Sequence, residues 1–274
     1  MVEIKTPAEV EAMRGAGRVV AEILAAVQDQ AKAGMRTAEL DQVARDVLAG
    51  NGAYSPFLNY QPGFAPVPFP AVICTSVNDA ALHGIPGRYK LADGDLLSVD
   101  CGAVLDGWTA DAAVSFTIGP PPTSSVPGGP PPPVPPGPSP YDADKRLIDV
   151  TRDALRAGIT AAVPGARIGD VSAAIGAVGR AGGYGICTDF GGHGVGRAMH
   201  EEPSVPNEGP PGRGRRLVAG LVIAIEPWFL AGGRDMYRID RDGWTIRSGD
   251  GSRAAHAEHT VAVTEDGPQV LTVL

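Results

Sequence analysis

Residues 96–116 read LLSVDCGAVLDGWTADAAVSF, two apolar, β-rich runs on either side of Asp106-Gly107. Asp-Gly between such runs is a strong hairpin signal, because a type I′ turn needs positive φ at both central residues. With these two residues as the loop, Leu105 faces Trp108 and Gly102 faces Asp111. Asp100 precedes Gly102 by two positions and therefore shares its face. Asp100 and Asp111 become diagonal cross-strand neighbours, their Cα atoms roughly 7–8 Å apart. An ionised carboxylate in apolar sheet is costly unless a cation or a dense set of donors meets it. The hairpin thus calls for a counter-charge.

The rest of the chain frames that hairpin. It has 274 residues, 43% hydrophobic and 20% charged, enough to bury a substantial core. The net charge of −8 and the lack of a Lys/Arg block argue against nucleic acid as the main ligand. The start, MVEIKTPAEVEAM, lacks the apolar core of a secretory signal, and no run approaches the roughly 20 apolar residues of a membrane span. Cys74, Cys101 and Cys187 are odd in number and widely spaced, as free buried thiols of a cytoplasmic protein would be. Thr6-Pro7-Ala8-Glu9 is a capping box with proline at the first helical position. Val10, Met13, Gly17, Val20, Leu24 and Val27 predict one inward helix face, stopping at Gly34. Thr37 opens a second helix with Leu40, Val43 and Val47 inward, and residues 71–78, 96–105 and 108–118 read as strands. Residues 119–140, GPPPTSSVPGGPPPPVPPGPSP, are an extended connector by composition; their PxxP spacings also suit an SH3-like partner. Ser139-Pro140 then starts a long helix with Leu147, Val150 or Thr151, Leu155 and Ile159 inward.

The second part of the chain echoes the first. GMRTAEL (34–40) matches GARIGDV (165–171), LADGDLLSVD (91–100) matches LVAGLVIAIE (217–226), and DAAVSFT (111–117) matches EHTVAVT (258–264). Three echoes in one order predict two similar halves, about 1–118 and 141–274, around a pseudo-two-fold axis. The echo places Glu226 and Glu258 at the positions of Asp100 and Asp111. Four acids on one axis can be relieved by protonation, or by two divalent ions about 3.5–4 Å apart with a bridging water. Solvation at strand ends or pairing with arginines is the remaining alternative. His193 and His200 lie in DFGGHGVGRAMHEEP, where glycines let backbone approach a ligand closely. His83 sits in the turn-rich LHGIPG; His256 and His259 flank Glu258, and only His256 shares its face on an extended strand. No dinucleotide fingerprint, HExxH pair, G-x-S-x-G elbow or phosphate loop is present.

With CTSVNDAALHGIPG, SVDCGAVLDGWTAD, GGHGVGRAMHEEP, AIEPW and HAEHT in this order, the chain resembles the type I methionine aminopeptidases. The likeness runs from IKTPAEVEAMR to the C-terminus, interrupted by the Pro-rich stretch. It implies an α+β, pita-bread fold: a single catalytic domain over 1–274, whose pseudo-symmetric halves share an antiparallel sheet core covered by helices. It implies two divalent ions (Mn, Fe, Co or Zn) on Asp100, Asp111, His193, Glu226 and Glu258, with Asp111 and Glu258 bridging. Glu226 would be the proton acceptor and donor, and His83 and His200 would contact the substrate near the scissile amide. Tyr60, Cys74 and Trp244 would line a methionine pocket, with Phe57, Phe69 and Met199 in similar roles but differing in type. The implied substrates are nascent polypeptide N-termini near the ribosome with a small second residue; a cytoplasmic monomer with no nucleic-acid or membrane ligand is expected. A proline-directed peptidase of the same fold and a non-catalytic, ribosome-associated binding protein are the rival readings.

Overall fold

The computed structural model describes residues 2–120 and 139–274. The connector reading of 119–140, with its PxxP spacings, falls almost wholly on residues outside these.

Helix α1 (Pro7–Gln30) begins on the expected capping box: Thr6 Oγ1 accepts the Glu9 N–H and Glu9 Oε2 accepts the Thr6 N–H. It ends before Gly34. The Gly34 and Thr37 N–H groups donate to Leu91 and Tyr89 carbonyls, so the chain is drawn across to the 89–91 segment and Gly34 sits in the turn with φ 88°. Helix α2 (Thr37–Gly50) is rolled slightly from the expected face: Leu40, Ala44 and Leu48 are fully buried, while Val43 and Val47 are half-buried. The roll buries Asp41, whose Oδ1 accepts the Val72 and Ile73 N–H groups at 2.7 and 3.3 Å. That carboxylate occupies donors a ladder would otherwise use, and strand β1 spans Ile73–Val77 rather than 71–78.

A short strand β2 (Ala80–Leu82) precedes the hairpin of β3 (Leu96–Leu105) and β4 (Trp108–Thr117), whose register is the expected one. Leu105 pairs with Trp108 and Gly102 with Asp111, and Asp106 and Gly107 have φ of 51° and 75°. Helix α3 (Pro140–Ala161) buries Leu147, Thr151 and Leu155, and Val150 and Ile159 pack at its margin. Helix α4 (Ile168–Gly182) follows, then β5 (Gly192–Gly194), β6 (Glu201–Val205), β7 (Val222–Ile225), β8 (Trp228–Leu230), β9 (Tyr237–Ile239), β10 (Ile246–Ser248), β11 (Ala254–His256), β12 (Glu258–Thr264) and β13 (Gly267–Val270).

Eight strands form one antiparallel sheet in the order β1-β3-β4-β12-β7-β5-β6, with β13 beside β12. Strand parity assigns its two faces. Val99, Cys101, Ala103, Ala110 and Ala112 pack under α1 and α2, and Ile223, Ile225, Val261 and Val263 pack under α3 and α4. Glu258 pairs with Ala113, so both helix pairs lie on one side and Asp100, Asp111 and Glu258 on the other. A third apolar group, including Met13, Trp108, Val222 and Ala262, draws on both halves. The mixture of helices with an antiparallel sheet is the α+β architecture the sequence led us to expect. Among the described residues no helix is long and apolar enough to cross a membrane.

Candidate metal centre and substrate cleft

The two halves meet where β4 and β12 pair over only Glu258↔Ala113 and His259↔Ala112. Beyond that point β12 turns to pair with β13, and a side chain replaces the ladder. Thr260 Oγ1 accepts the Asp111 N–H at 3.0 Å and faces the Asp111 carbonyl and carboxylate at 2.8 and 3.1 Å. Asp111 is therefore anchored through its own backbone at the split between halves. Thr260 was not singled out from sequence, although its two-residue step from Glu258 puts it on the same face.

Asp111, His193 and Glu258 each offer a ligand atom within 4.8 Å of the others, and all three are buried. His193 Nδ1 engages the Gly194 carbonyl at 2.8 Å, which leaves Nε2 to face the acids. That nitrogen is 3.4 Å from Asp111 Oδ2 and 3.6 Å from Glu226 Oε1. Asp100 and Glu226 stand one step out from the tight group and border the same cavity. His256 shares the face of Glu258, its Nε2 3.7 Å from Glu226 Oε2 and 4.0 Å from Glu258 Oε2, too far for a hydrogen bond. His259 points to the helix side, with Nδ1 2.8 Å from Thr272 Oγ1.

The electrostatics follow from crowding. Burial pushes Asp100 up to about 7, with His256 opposing and Glu226 and Asp111 adding to the rise. Burial, then Asp111 and Glu226, holds Glu258 well above the usual carboxylate range. Burial opposes the charged form of His193, but Asp111 outweighs it and raises the imidazole to about 9. Glu226 is lowered despite its burial, because His256 and His193 face it. Burial pushes His83 down to about 4, so it is a neutral imidazole at pH 7; His200 is lowered too, by its setting in the cleft and by the neighbouring His193, although its surface is partly open to solvent.

This environment fits divalent cations. Asp100 Oδ1 and His256 Nε2 are buried without a hydrogen-bond partner. Buried polar atoms left unpaired are costly, and among the described residues no Lys or Arg lines the cavity to neutralise the acids. Carboxylate and imidazole donors in this mix suit Mn, Fe, Co or Zn alike.

An apolar chamber opens beside the acids. Phe57, Phe69, Cys74, Met199 and Trp244 form one buried group with Tyr60 at its margin. Phe57 meets Phe69 edge-on, and Phe69 meets Trp244 edge-on with centroids 5.0 Å apart. Asp242 accepts the Trp244 and Thr245 N–H groups and so sets the turn that presents Trp244. Tyr60 OH meets His200 Nδ1 at 2.9 Å and ties the chamber to the acids. Every residue named from sequence as ligand, catalytic or pocket residue lines this one cavity of about 240 Å³. Phe64, Asp189 and Phe190 line it too, without having been named.

Another unnamed contact holds the loop that carries Met199 and His200. Lys5, with a side chain 1% exposed, donates to Glu201 Oε2 at 2.9 Å, and Glu201 Oε1 accepts the Ala198 N–H. Lys5→Met is expected to cost about 3 kcal/mol, since it leaves Glu201 partly buried without its cation. Urea unfolding measures the loss, and adding Glu201→Gln should return part of it in a double-mutant cycle.

Comparison with known proteins places this arrangement. Residues 11–265 match the sequence model of metallopeptidase family M24. The methionine aminopeptidase 1 of Mycobacterium tuberculosis (strain CDC 1551 / Oshkosh) is 44% identical, with 100% of this chain and 96% of that protein covered. The crystal structure of a methionine aminopeptidase from Thermotoga maritima superposes with a TM-score of 0.87 at 35% identity, covering 100% of both chains. A prolidase from Pyrococcus furiosus shares the fold alone, with a TM-score of 0.72 at 21% identity over 99% of this chain and 65% of that one. The architecture is the pita-bread fold. Because the family match takes in both halves and the cleft between them, and the relatives align from end to end, the chain belongs to metallopeptidase family M24, on its methionine aminopeptidase branch.

Proposed function

We propose that this chain removes the N-terminal methionine of nascent proteins and peptides, preferring a small second residue, and acts as one catalytic unit over 1–274 built from halves 1–118 and 141–274. The observation that carries this reading is a single cavity joining an apolar, aromatic chamber to an acid and imidazole cluster with, among the described residues, no Lys or Arg in its lining. Asp100, Asp111, His193, Glu226 and Glu258 would hold two divalent ions, with Asp111 and Glu258 shared between them. Such a pair, when bound, lowers the pKa of a water and polarises a carbonyl oxygen.

The chain's own groups do the rest. Phe57, Tyr60, Phe69, Cys74, Met199 and Trp244 take the unbranched methionine side chain. The acids, with no Lys or Arg among the described residues that line the cavity, suit the substrate's free α-amine, which restricts cleavage to the N-terminus. Glu226, ionised because His256 and His193 face it, accepts the proton of the attacking water and returns it to the departing amine. His200, its Nδ1 engaged by Tyr60, presents Nε2 to the developing oxyanion. His83 Nδ1, buried without a partner, is free to meet the scissile amide. The site of action we infer is the cytoplasm, near ribosomes, with the chain monomeric.

The test uses Met-Ala-Ser and Xaa-Pro peptides with purified protein, after chelation and after return of Mn²⁺, Co²⁺, Fe²⁺ or Zn²⁺. Methionine release only with metal is the expected result. Cleavage confined to bonds next to proline, or inactivity of the metal-replete protein, overturns the reading.

A further inference from the structure

We propose that Phe64 walls the subsite for the second substrate residue and sets the upper size of the side chain accepted there; this rests on the aminopeptidase reading above. Phe64 belongs to a closed loop. The Phe69 N–H donates to the Tyr60 carbonyl and the Asn59 N–H to the Phe69 carbonyl, each at 2.8 Å, so residues 61–68 are gathered at their ends. The loop's far side is pinned where Trp244 Nε1 donates to the Val67 carbonyl at 2.8 Å. Within it, Ala65 is 7% exposed, while Phe64 stays 42% exposed. Adjacent residues thus serve different roles: Ala65 packs in the buried apolar group behind the chamber, and Phe64 lines the cavity itself.

The ring of Phe64 joins the cavity's separate walls. It stacks on His83 with centroids 6.1 Å apart and planes 17° apart, and it meets Phe190 and Trp244 edge-on, each at 5.6 Å. With the first side chain in the chamber and the scissile amide between His83 and His200, the peptide leaves past His83. A second side chain reaching beyond Cβ or Cγ there meets the Phe64 face. A large apolar ring left half-open at the rim of a cleft gains most from being covered by substrate. Gly243 lets the loop pack closely against its turn, because a Cβ there would meet the Pro66 ring.

The experiment compares metal-loaded wild type, Phe64→Ala and Phe64→Leu on Met-Ala-Ser, Met-Val-Ser and Met-Leu-Ser. Circular dichroism first shows which variants are folded, and Phe64→Leu keeps the test alive if alanine loosens the loop. The expected result is a kcat/KM ratio of Met-Leu-Ser to Met-Ala-Ser raised about 10-fold or more in Phe64→Ala, and by less in Phe64→Leu. The kcat for Met-Ala-Ser should change little while its KM rises. An unchanged ratio, or equal loss on all three peptides, overturns the assignment and leaves the aminopeptidase reading standing. A wild type that releases no methionine from any of them overturns both.

Discussion

Asp111→Ala is expected to lower kcat/KM for Met-Ala-Ser by more than about 100-fold, because loss of a shared ligand should exceed the 10–100-fold typical of groups that merely support ligands. Bound metal should fall with it, and elemental analysis of the dialysed protein checks that independently of turnover. Asp111 is 3% exposed and sits 3.4 Å from His193 Nε2, inside the tight group with Glu258. The backbone anchor to Thr260 survives the substitution, since the Asp111 N–H and carbonyl both remain. The variant should therefore fold, and its loss is chemical. Thr260→Val separates the two contributions: it keeps the carboxylate but removes the hydroxyl that fixes it, so weaker metal binding with a native circular dichroism spectrum is expected. Wild-type activity with full metal content in Asp111→Ala would remove the dinuclear reading.

Much of this was legible in the sequence for a definite reason. Asp106-Gly107 fixes a turn, a turn fixes a register, and a register fixes which side chains share a face. The internal echo then carried the same face to Glu226 and Glu258, far apart in the chain. What escaped was set by tertiary partners. The start of β1 depends on Asp41, a carboxylate of a different element that takes the Val72 N–H. The end of α1 depends on bonds from Gly34 and Thr37 to residues 89–91. Helical periodicity alone cannot see the α2 roll that puts Ala44 and Leu48 inward. Phe64 escaped for a further reason: QPGFAPVP has no period, so its loop is defined only by the Tyr60–Phe69 closure and the Trp244 indole. Lys5 looked like any lysine ahead of a helix, and only the folded chain brings Glu201 to it.

Metal loading at pH 7 should release more than about one proton per protein, because the acids and imidazole that hold the ions must be unprotonated. In the metal-free protein Glu258 is held well above the ordinary range, Asp100 is near 7 and His193 is near 9. At neutral pH His193 thus carries its proton and Asp100 does so about half the time, while Glu258 is biased toward its protonated form. Titration calorimetry in buffers of different ionisation enthalpy counts the protons released. The same shifts fix the pH dependence of stability. For Asp100 and Glu258 the folded chain binds more protons than the unfolded one, so metal-free stability falls as pH rises from the ordinary carboxylate range through their folded values. For His193, raised from 6.5 to about 9, the contribution is full below pH 6.5 and lost as pH rises through 9. Glu226, lowered from 4.5, acts in the opposite sense only at more acid pH. Above pH 6.5 these shifts act in one direction, each proton of difference contributing about 1.4 kcal/mol per pH unit; below it His83 and His200, lowered from 6.5 to about 4, act in the opposite sense, but they are not ligands and cancel between loaded and chelated protein. Metal reverses the trend, since its ligands bind it best unprotonated. The gap in thermal midpoint between metal-loaded and chelated protein should therefore widen steadily from pH 5.5 to 8.5. A constant gap, with no protons released on loading, would mean the acids are already ionised without metal, and their counter-charge would have to lie elsewhere.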